Sequence, residues 1–352
     1  MTTAVHIVVP DGIDDPARPS GGNAYDRRVC RGLAAAGWTV HVHEVAGRWP
    51  SPDARSYAAL ADALSQIPDR ALVLVDGLVA SPAPEVLVPE ARRLRVVALV
   101  HMPLGEGAGA DGVREREGAV LSAAASVVTT SAWARRALLQ LYALPGDRVH
   151  VAEPGVDAAE LAPGTATAGA LLSVAAVIPG KGHDVLVDAL ATLTGLRWQC
   201  LCVGSLERDP VFVETLRRRV ADGGMDGRVR FAGPQAEAEL GGSYSLADVL
   251  VLPSRAETYG MVVAEALARG LPVVAADVGG VPEALGHGAG GVRPGLLVPA
   301  DDAAALADAL RAWLEDRDLR LRLRRAARER RASLADWSTT TSAVADVLGR
   351  AA

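Results

Sequence analysis

Aromatic side chains make up only 4% of the 352 residues, with two phenylalanines and five tyrosines. A core with so few rings must be aliphatic, and alanine, valine and leucine dominate, which suits helices packed on parallel sheets. Cysteine is nearly as scarce: Cys30, Cys200 and Cys202 show no metal-type spacing with histidines. Cys200 and Cys202 stand two apart in an apolar run and would share one face of a strand. They read as buried thiols in a reducing compartment. No stretch approaches ~18 uninterrupted apolar residues, so no transmembrane segment is expected. Met1 to Pro10 reads as a short apolar strand without a basic leader or a signal-length apolar core. The expected location is cytoplasmic. Positive charge is also short, and a formal net charge of −6 leaves no general footprint for nucleic acid. Arg317 to Arg331 is the local exception. Leu319, Leu321, Leu323, Ala326 and Ala327 interleave with its arginines, so it reads as a solvated helix face, the other reading being a membrane or anionic-acceptor surface.

What is present is alternation. A chain of 352 residues exceeds the ~100–200 of one domain. Short apolar strands take turns with helical segments in two series, the pattern of βαβ units and parallel sheets. The first runs from Val5–Val9 to Val149–Val151, with a Gly-Gly turn before a helix from about Ala24. The second runs from Leu171–Ala176 to Ala303–Leu314. Between them Asp157 to Gly169 is rich in small residues and reads as a linker. The expected organisation is an N-terminal Rossmann-like domain over 1–157 on the acceptor side and a linker over 158–169. A C-terminal Rossmann-like domain over 170–335 takes the donor side, and a terminal helix over 336–352 packs back toward the first domain. The fold class is α/β, two doubly wound domains facing a cleft, with ligands beyond the carboxyl ends of the strands.

The strongest motif is Arg255 to Arg269, RAETYGMVVAEALAR, on a strand-to-helix loop. A helix opening at Gly260 presents unpaired N–H groups and the positive end of its dipole. Glu257 lies in the loop, and Glu265 lies two turns into an otherwise apolar helix, where a carboxylate needs a partner or an edge facing water. In Pro179-Gly180-Lys181-Gly182 an ammonium flanked by glycines at a strand end can offset diphosphate charge, although a solvated turn lysine fits the spacing equally. Ser20-Gly21-Gly22-Asn23 permits close backbone approach to phosphate, or is a plain turn capped by Asn23. His101, in V-H-M-P, stands where a strand meets its loop. Asp277, Gly279, Gly280 and Glu283 form a further loop after a strand.

Glu257 and Glu265, as E-x7-E preceded by P-S-R-A and followed by A-R-G-L-P-V-V-A, resemble the signature of retaining glycosyltransferases of family 4, with the GT-B fold. The resemblance runs from the Gly-Gly segment to the Trp337 helix. It implies that Glu257 contacts donor-sugar hydroxyls and Glu265 the nucleotide ribose. Backbone amides at Tyr259, Gly260, Met261 and Val262 would approach the donor sugar or its phosphates. It further implies that Lys181 faces the diphosphate, that Gly21 and Gly22 form the N-terminal glycine loop, and that His101 lies near the donor sugar. Many members carry an arginine where this chain has Ala176, and Arg255 is the arginine at hand to compensate. The base would rest near Phe231 to Pro234, largely on backbone.

The implied activity is retaining transfer of a sugar from a nucleoside-diphosphate sugar to a hydroxyl of a small-molecule or glycan acceptor. No further cofactor and no metal are expected, since the one D-x-D, Asp316-Arg317-Asp318, falls in a charged turn after a helix. Acceptor contacts would come from Ser20–Arg28, Gly77–Pro84 and Met102–Val113. A sugar-nucleotide epimerase of the same fold and a non-catalytic sugar-nucleotide binding module are the competing readings. A nicotinamide oxidoreductase is disfavoured because Gly21-Gly22 lacks a G-x-G-x-x-G spacing.

Overall fold

Runs such as Leu72–Asp76 and Ser126–Thr129 are buried along their whole length, as strands of a parallel sheet covered on both faces must be. The computed structural model describes residues 4–15, 20–106 and 111–352, so part of the segment Met102–Val113 lies outside the described residues. The chain divides into two compact units, Met1–Gly155 with Ala335–Ala352, and Val156–Leu334.

The first unit runs β1 (Ala4–Pro10), α1 (Gly21–Ala35), β2 (Thr39–Val45), α2 (Ala54–Ser65), β3 (Leu72–Asp76), α3 (Gly77–Ala80), α4 (Pro84–Glu90) and β4 (Arg95–Val100). It continues through α5 (Asp111–Ala123), β5 (Ser126–Thr129), α6 (Ala132–Tyr142) and β6 (Val149–Val151). Its parallel sheet has the order β2-β1-β3-β4-β5-β6. The strand order reverses around β1 and β3, which marks the loops after them as the ligand end.

The second unit runs β7 (Ala170–Val174), α7 (His183–Ala191), β8 (Gln199–Val203), α8 (Pro210–Asp222), β9 (Val229–Phe231), α9 (Glu237–Ser245) and β10 (Val249–Leu252). It continues with α10 (Met261–Ala268), β11 (Val273–Ala276), α11 (Val281–Leu285), β12 (Gly295–Val298), α12 (Ala303–Glu315) and α13 (Arg317–Arg331). Its order is β12-β11-β10-β7-β8-β9, also parallel, with the reversal between β7 and β10. One more helix, α14 (Trp337–Ala351), belongs to the first unit. Its Val344, Val347 and Leu348 enter that unit's core, and Thr340 donates to the Glu153 carbonyl at 2.7 Å. Both sheets are therefore doubly wound, the two-domain α/β class expected from the sequence.

Three local readings change. Gly21 and Gly22 are not a turn before a helix but the first residues of α1. Ser20, rather than Asn23, caps it, its hydroxyl oxygen accepting from the Asn23 N–H at 3.1 Å. The stretch Gly77–Pro84 carries α3 and the first residue of α4. The segment after Asp157 has no regular element yet is fastened to the second unit. Buried Asp248 accepts from Thr165 N at 2.7 Å and Ala170 N at 2.9 Å, and Arg324 donates to it at 2.7 Å. The α13 arginines act the same way: Arg320 donates to the Trp313 and Leu314 carbonyls at the end of α12, and Arg331 to the Ala159 carbonyl. Much of the basic run is tethering rather than a bare surface.

Candidate functional site

In the second unit the two loops at the reversal bring together the residues singled out in the sequence. The loop after β7 turns through Pro179–Lys181 into Gly182, whose φ of +67° opens α7. A Cβ there would lie 2.0 Å from the Pro253 carbonyl oxygen, so only glycine lets this loop lie against the one after β10. Lys181 Nζ then reaches Glu257 Oε1 at 2.6 Å, and Ser254 Oγ donates to the same oxygen at 2.8 Å. Both ionic side chains keep some exposure, 29% for Lys181 and 14% for Glu257. Lys181 is the only lysine in the sequence.

Glu257 is fixed from behind as well. Gly280 N donates to its carbonyl at 3.0 Å, and a Cβ on Gly279 would lie 1.7 Å from that oxygen. Gly260, at φ +91°, caps α10 without a side chain and leaves the first N–H groups of that helix facing outward from its end. Tyr259 is 5% exposed, and Met261 and Val262 pack partly into the core, so these positions offer backbone rather than side chain.

Glu265 sits on the second turn of α10. Tyr244, buried at the end of α9, donates to its Oε2 at 2.8 Å, and Arg269 lies over the Tyr244 ring at 4.6 Å. Burial pushes the Glu265 carboxyl above its ordinary range, opposed by the Tyr244 hydrogen bond and the Arg269 charge. Arg255 is occupied. Its fork spans both oxygens of Asp184 at 3.0 and 2.9 Å, its Nε meets Asp301 at 2.6 Å, and it also donates to the Pro179 carbonyl. It joins the two loops and has little left to give a phosphate. His183, fully buried beside Lys181, is pushed down to about 4 by burial and stays neutral.

In the first unit His101 follows β4. Its Nε2 lies 2.8 Å from Asp26 Oδ1 and 3.3 Å from Asp76 Oδ2, and both carboxylates are buried. Tyr25 meets its ring edge-on at 5.1 Å. Gly22 is next to it: a Cβ there would touch His101 Cδ2 at 3.4 Å. Burial alone would lower the imidazole, but the Asp26 charge and the hydrogen bonds to both aspartates raise it to about 10. Asp26 is raised to about 7 by burial and by Asp76, with His101 opposing. The set therefore holds an imidazolium against the Asp76 carboxylate and an Asp26 carboxyl that is only partly ionised at neutral pH. Its ligand atoms lie within 4.8 Å of one another, which also fits a divalent cation. Asp26 and Asp76 escaped the sequence reading. The available signal was an aspartate closing the apolar strand Leu72–Asp76.

Residues 166–330 match the family model "Glycosyl transferases group 1". Among curated proteins, the chain is 35% identical over 243 residues to a D-inositol 3-phosphate glycosyltransferase of Jonesia denitrificans, covering 63% of this chain and 56% of that one. It is 36% identical over 252 residues to the enzyme of that name from Nocardia farcinica, covering 65% and 53%. The chain thus spans little more than half the length of these relatives. Among solved structures, HepE of Anabaena in complex with UDP and glucose superposes with a TM-score of 0.78 over 99% of this chain and 100% of that one, at 18% identity. Sucrose-phosphate synthase of Thermosynechococcus elongatus gives 0.78 over 99% and 98%, at 23% identity. The chain has the GT-B fold. Within that fold, the matched segment 166–330 contains Lys181, Glu257, Gly260 and Glu265. Among the described residues, no helix is long and apolar enough to cross a membrane.

Proposed function

We propose that this chain transfers a sugar from a nucleoside-diphosphate sugar to an acceptor hydroxyl with retention at the anomeric carbon, as family 4 enzymes do. The observation that carries the reading is the Lys181–Glu257 pair beside the open end of α10, inside the matched glycosyltransferase segment. Departure of the diphosphate builds negative charge on its oxygens. Lys181 and the backbone N–H groups of Met261 and Val262 are the donors to offset it. Glu257, released from Lys181 as the phosphate takes that ammonium, accepts from hydroxyls of the sugar. Glu265 accepts from the ribose while Tyr244 holds its other oxygen. His101, kept protonated beside Asp76, is the first unit's candidate hydrogen-bond donor. Attack on the face the diphosphate leaves, with a phosphate oxygen taking the acceptor proton, needs no separate protein base.

Uridine diphosphate sugars are the first donors to try, because HepE was solved with UDP and glucose, and a phosphorylated cyclic polyol is the first acceptor, from the relatives' names. The test is a donor and acceptor screen with NMR of the product. Expected are a new glycoside with the donor's anomeric configuration and turnover unchanged by chelator. An inverted product removes the family 4 roles, and loss of turnover restored by magnesium or manganese assigns the Asp26–Asp76–His101 set to a metal. The sole lysine adds a direct probe. Amine acylation should modify Lys181 and the N-terminus only, and uridine diphosphate should protect Lys181.

A further inference from the structure

The first unit holds a second cluster of titratable groups, far along its strands from His101. His6 of β1 and His41 of β2 stand directly opposite each other in the parallel register, and His43 follows two residues later on the same face. His6 Nδ1 lies 2.9 Å from His43 Nε2. The His6 ring stacks on His41 with centroids 4.8 Å apart and on His43 at 5.2 Å. His41 is exposed and the other two are half-buried, on the outer strand pair of the sheet. Farther along the same face Val8 and Val45 enter the core, so the imidazoles occupy its solvent-reached margin.

We propose that His6, His41 and His43 form a binding site for a borderline divalent transition metal such as Zn2+, Cu2+ or Ni2+. Neutral imidazole is the preferred nitrogen ligand for these ions. Two histidines on one strand and a third opposite them on the next share one face of the sheet, because same-face side chains recur every second residue. Zn–N bonds of about 2.0–2.1 Å in tetrahedral geometry put ligand nitrogens about 3.4 Å apart. The His6–His43 separation reaches that by a side-chain adjustment of about half an ångström. His41, exposed and stacked on His6, supplies the third nitrogen by rotation of its side chain. The hydrogen bond between His6 Nδ1 and His43 Nε2 is the contact a bound ion would replace. A bound ion would link edge strand β2 to β1 and stabilise the unit by mass action.

The experiment is competition of Zn2+ between the untagged, metal-stripped protein and a colorimetric chelator, with Cu2+ electron paramagnetic resonance as a second readout. Expected are one ion per chain, nitrogen hyperfine structure on Cu2+, and a Tm that rises with Zn2+. Affinity should fall more than tenfold in both His43→Ala and His41→Ala, with metal-free Tm as the check that each variant folds. His101→Gln should bind as the parent does. Unchanged affinity in the His41→Ala/His43→Ala double variant overturns the proposal, as does stoichiometric binding lost only in His101→Gln. Absence of binding at equimolar metal overturns it too.

Discussion

Replacing Lys181 by alanine separates a structural role from a chemical one. The ion pair it makes with Glu257 is short, 2.6 Å, but its ammonium is 29% exposed and its partner 14% exposed. Solvent screening holds such a pair to about 1 kcal/mol or less of stability. In a unit the size of Val156–Leu334 that corresponds to about 2–4 °C in Tm. Loss of one preorganised donor to charge growing on a leaving diphosphate costs about 2.7–4 kcal/mol of barrier, or roughly 10²–10³-fold in kcat. Lys181→Ala is therefore expected to melt near the parent and turn over at a hundredth of its rate or less. Steady-state kinetics with saturating donor, beside thermal melts of the same preparation, makes the measurement. A double-mutant cycle with Glu257→Gln isolates the pair. If the ion pair merely locks the loop, the two single variants lose about the same amount and the double loses no more than either. Parent-like kcat in Lys181→Ala would refute the reasoning and leave the diphosphate to the α10 amides alone.

Three further outcomes follow from the geometry. Glu265→Ala should raise donor KM by roughly 10–150-fold with kcat little changed, since the ribose is not altered in the reaction, and Tyr244→Phe should give a smaller rise of the same kind. Gly279→Ala should destabilise by well over ~1 kcal/mol because its Cβ would strike the Glu257 carbonyl, whereas Gly224→Ala, at φ +64° in open space, should cost about 1 kcal/mol or less in chemical denaturation. His101 is held above its ordinary value, to about 10, so its contribution to stability is complete below about 6.5 and lost as pH rises through 10. Asp26, raised to about 7, acts in the same direction. Tm should fall between pH 7 and 10, and His101→Gln should flatten that fall.

The paired loops of the second unit were legible because their parts are contiguous. A strand, a glycine at positive φ and a helix start fall within ten residues at both Lys181 and Gly260, and the strand order that unites them follows from the βαβ alternation. Tyr244 was not legible, since nothing in S-Y-S-L announces that its hydroxyl will meet a carboxylate 21 residues on. Asp26 and Asp76 were missed for a related reason. They are 50 residues apart and meet at His101 only through the placing of β3 beside β1 and β4. The glycine pair was misplaced by a local rule. Glycine breaks helices in isolation, but the Ser20 cap and the packing of Tyr25, Val29 and Leu33 outweigh that cost.

The division of labour among the cations explains why one residue can be singled out. In a chain with one lysine and otherwise only arginines among its Lys and Arg residues, Arg255 beside these loops and Arg320, Arg324 and Arg331 of α13 are tied to fixed partners. Planar, bidentate guanidinium suits that tethering. Arg255, the candidate to replace the arginine absent at Ala176, is one of them, and drawing it onto a phosphate would strand Asp184 and Asp301. Among the described residues Lys181 has a single charged partner, and with a compact head and a flexible stem it could, in the proposed reaction, exchange Glu257 for a diphosphate at the small cost of one screened ion pair. In the proposed reaction that exchange would free Glu257 for the sugar in the same step. Arg255→Lys should therefore loosen the loops and lower Tm while sparing kcat far more than Lys181→Arg, which keeps the charge but cannot keep the point geometry. Equal loss of kcat in the two variants would put Arg255 on the phosphate after all.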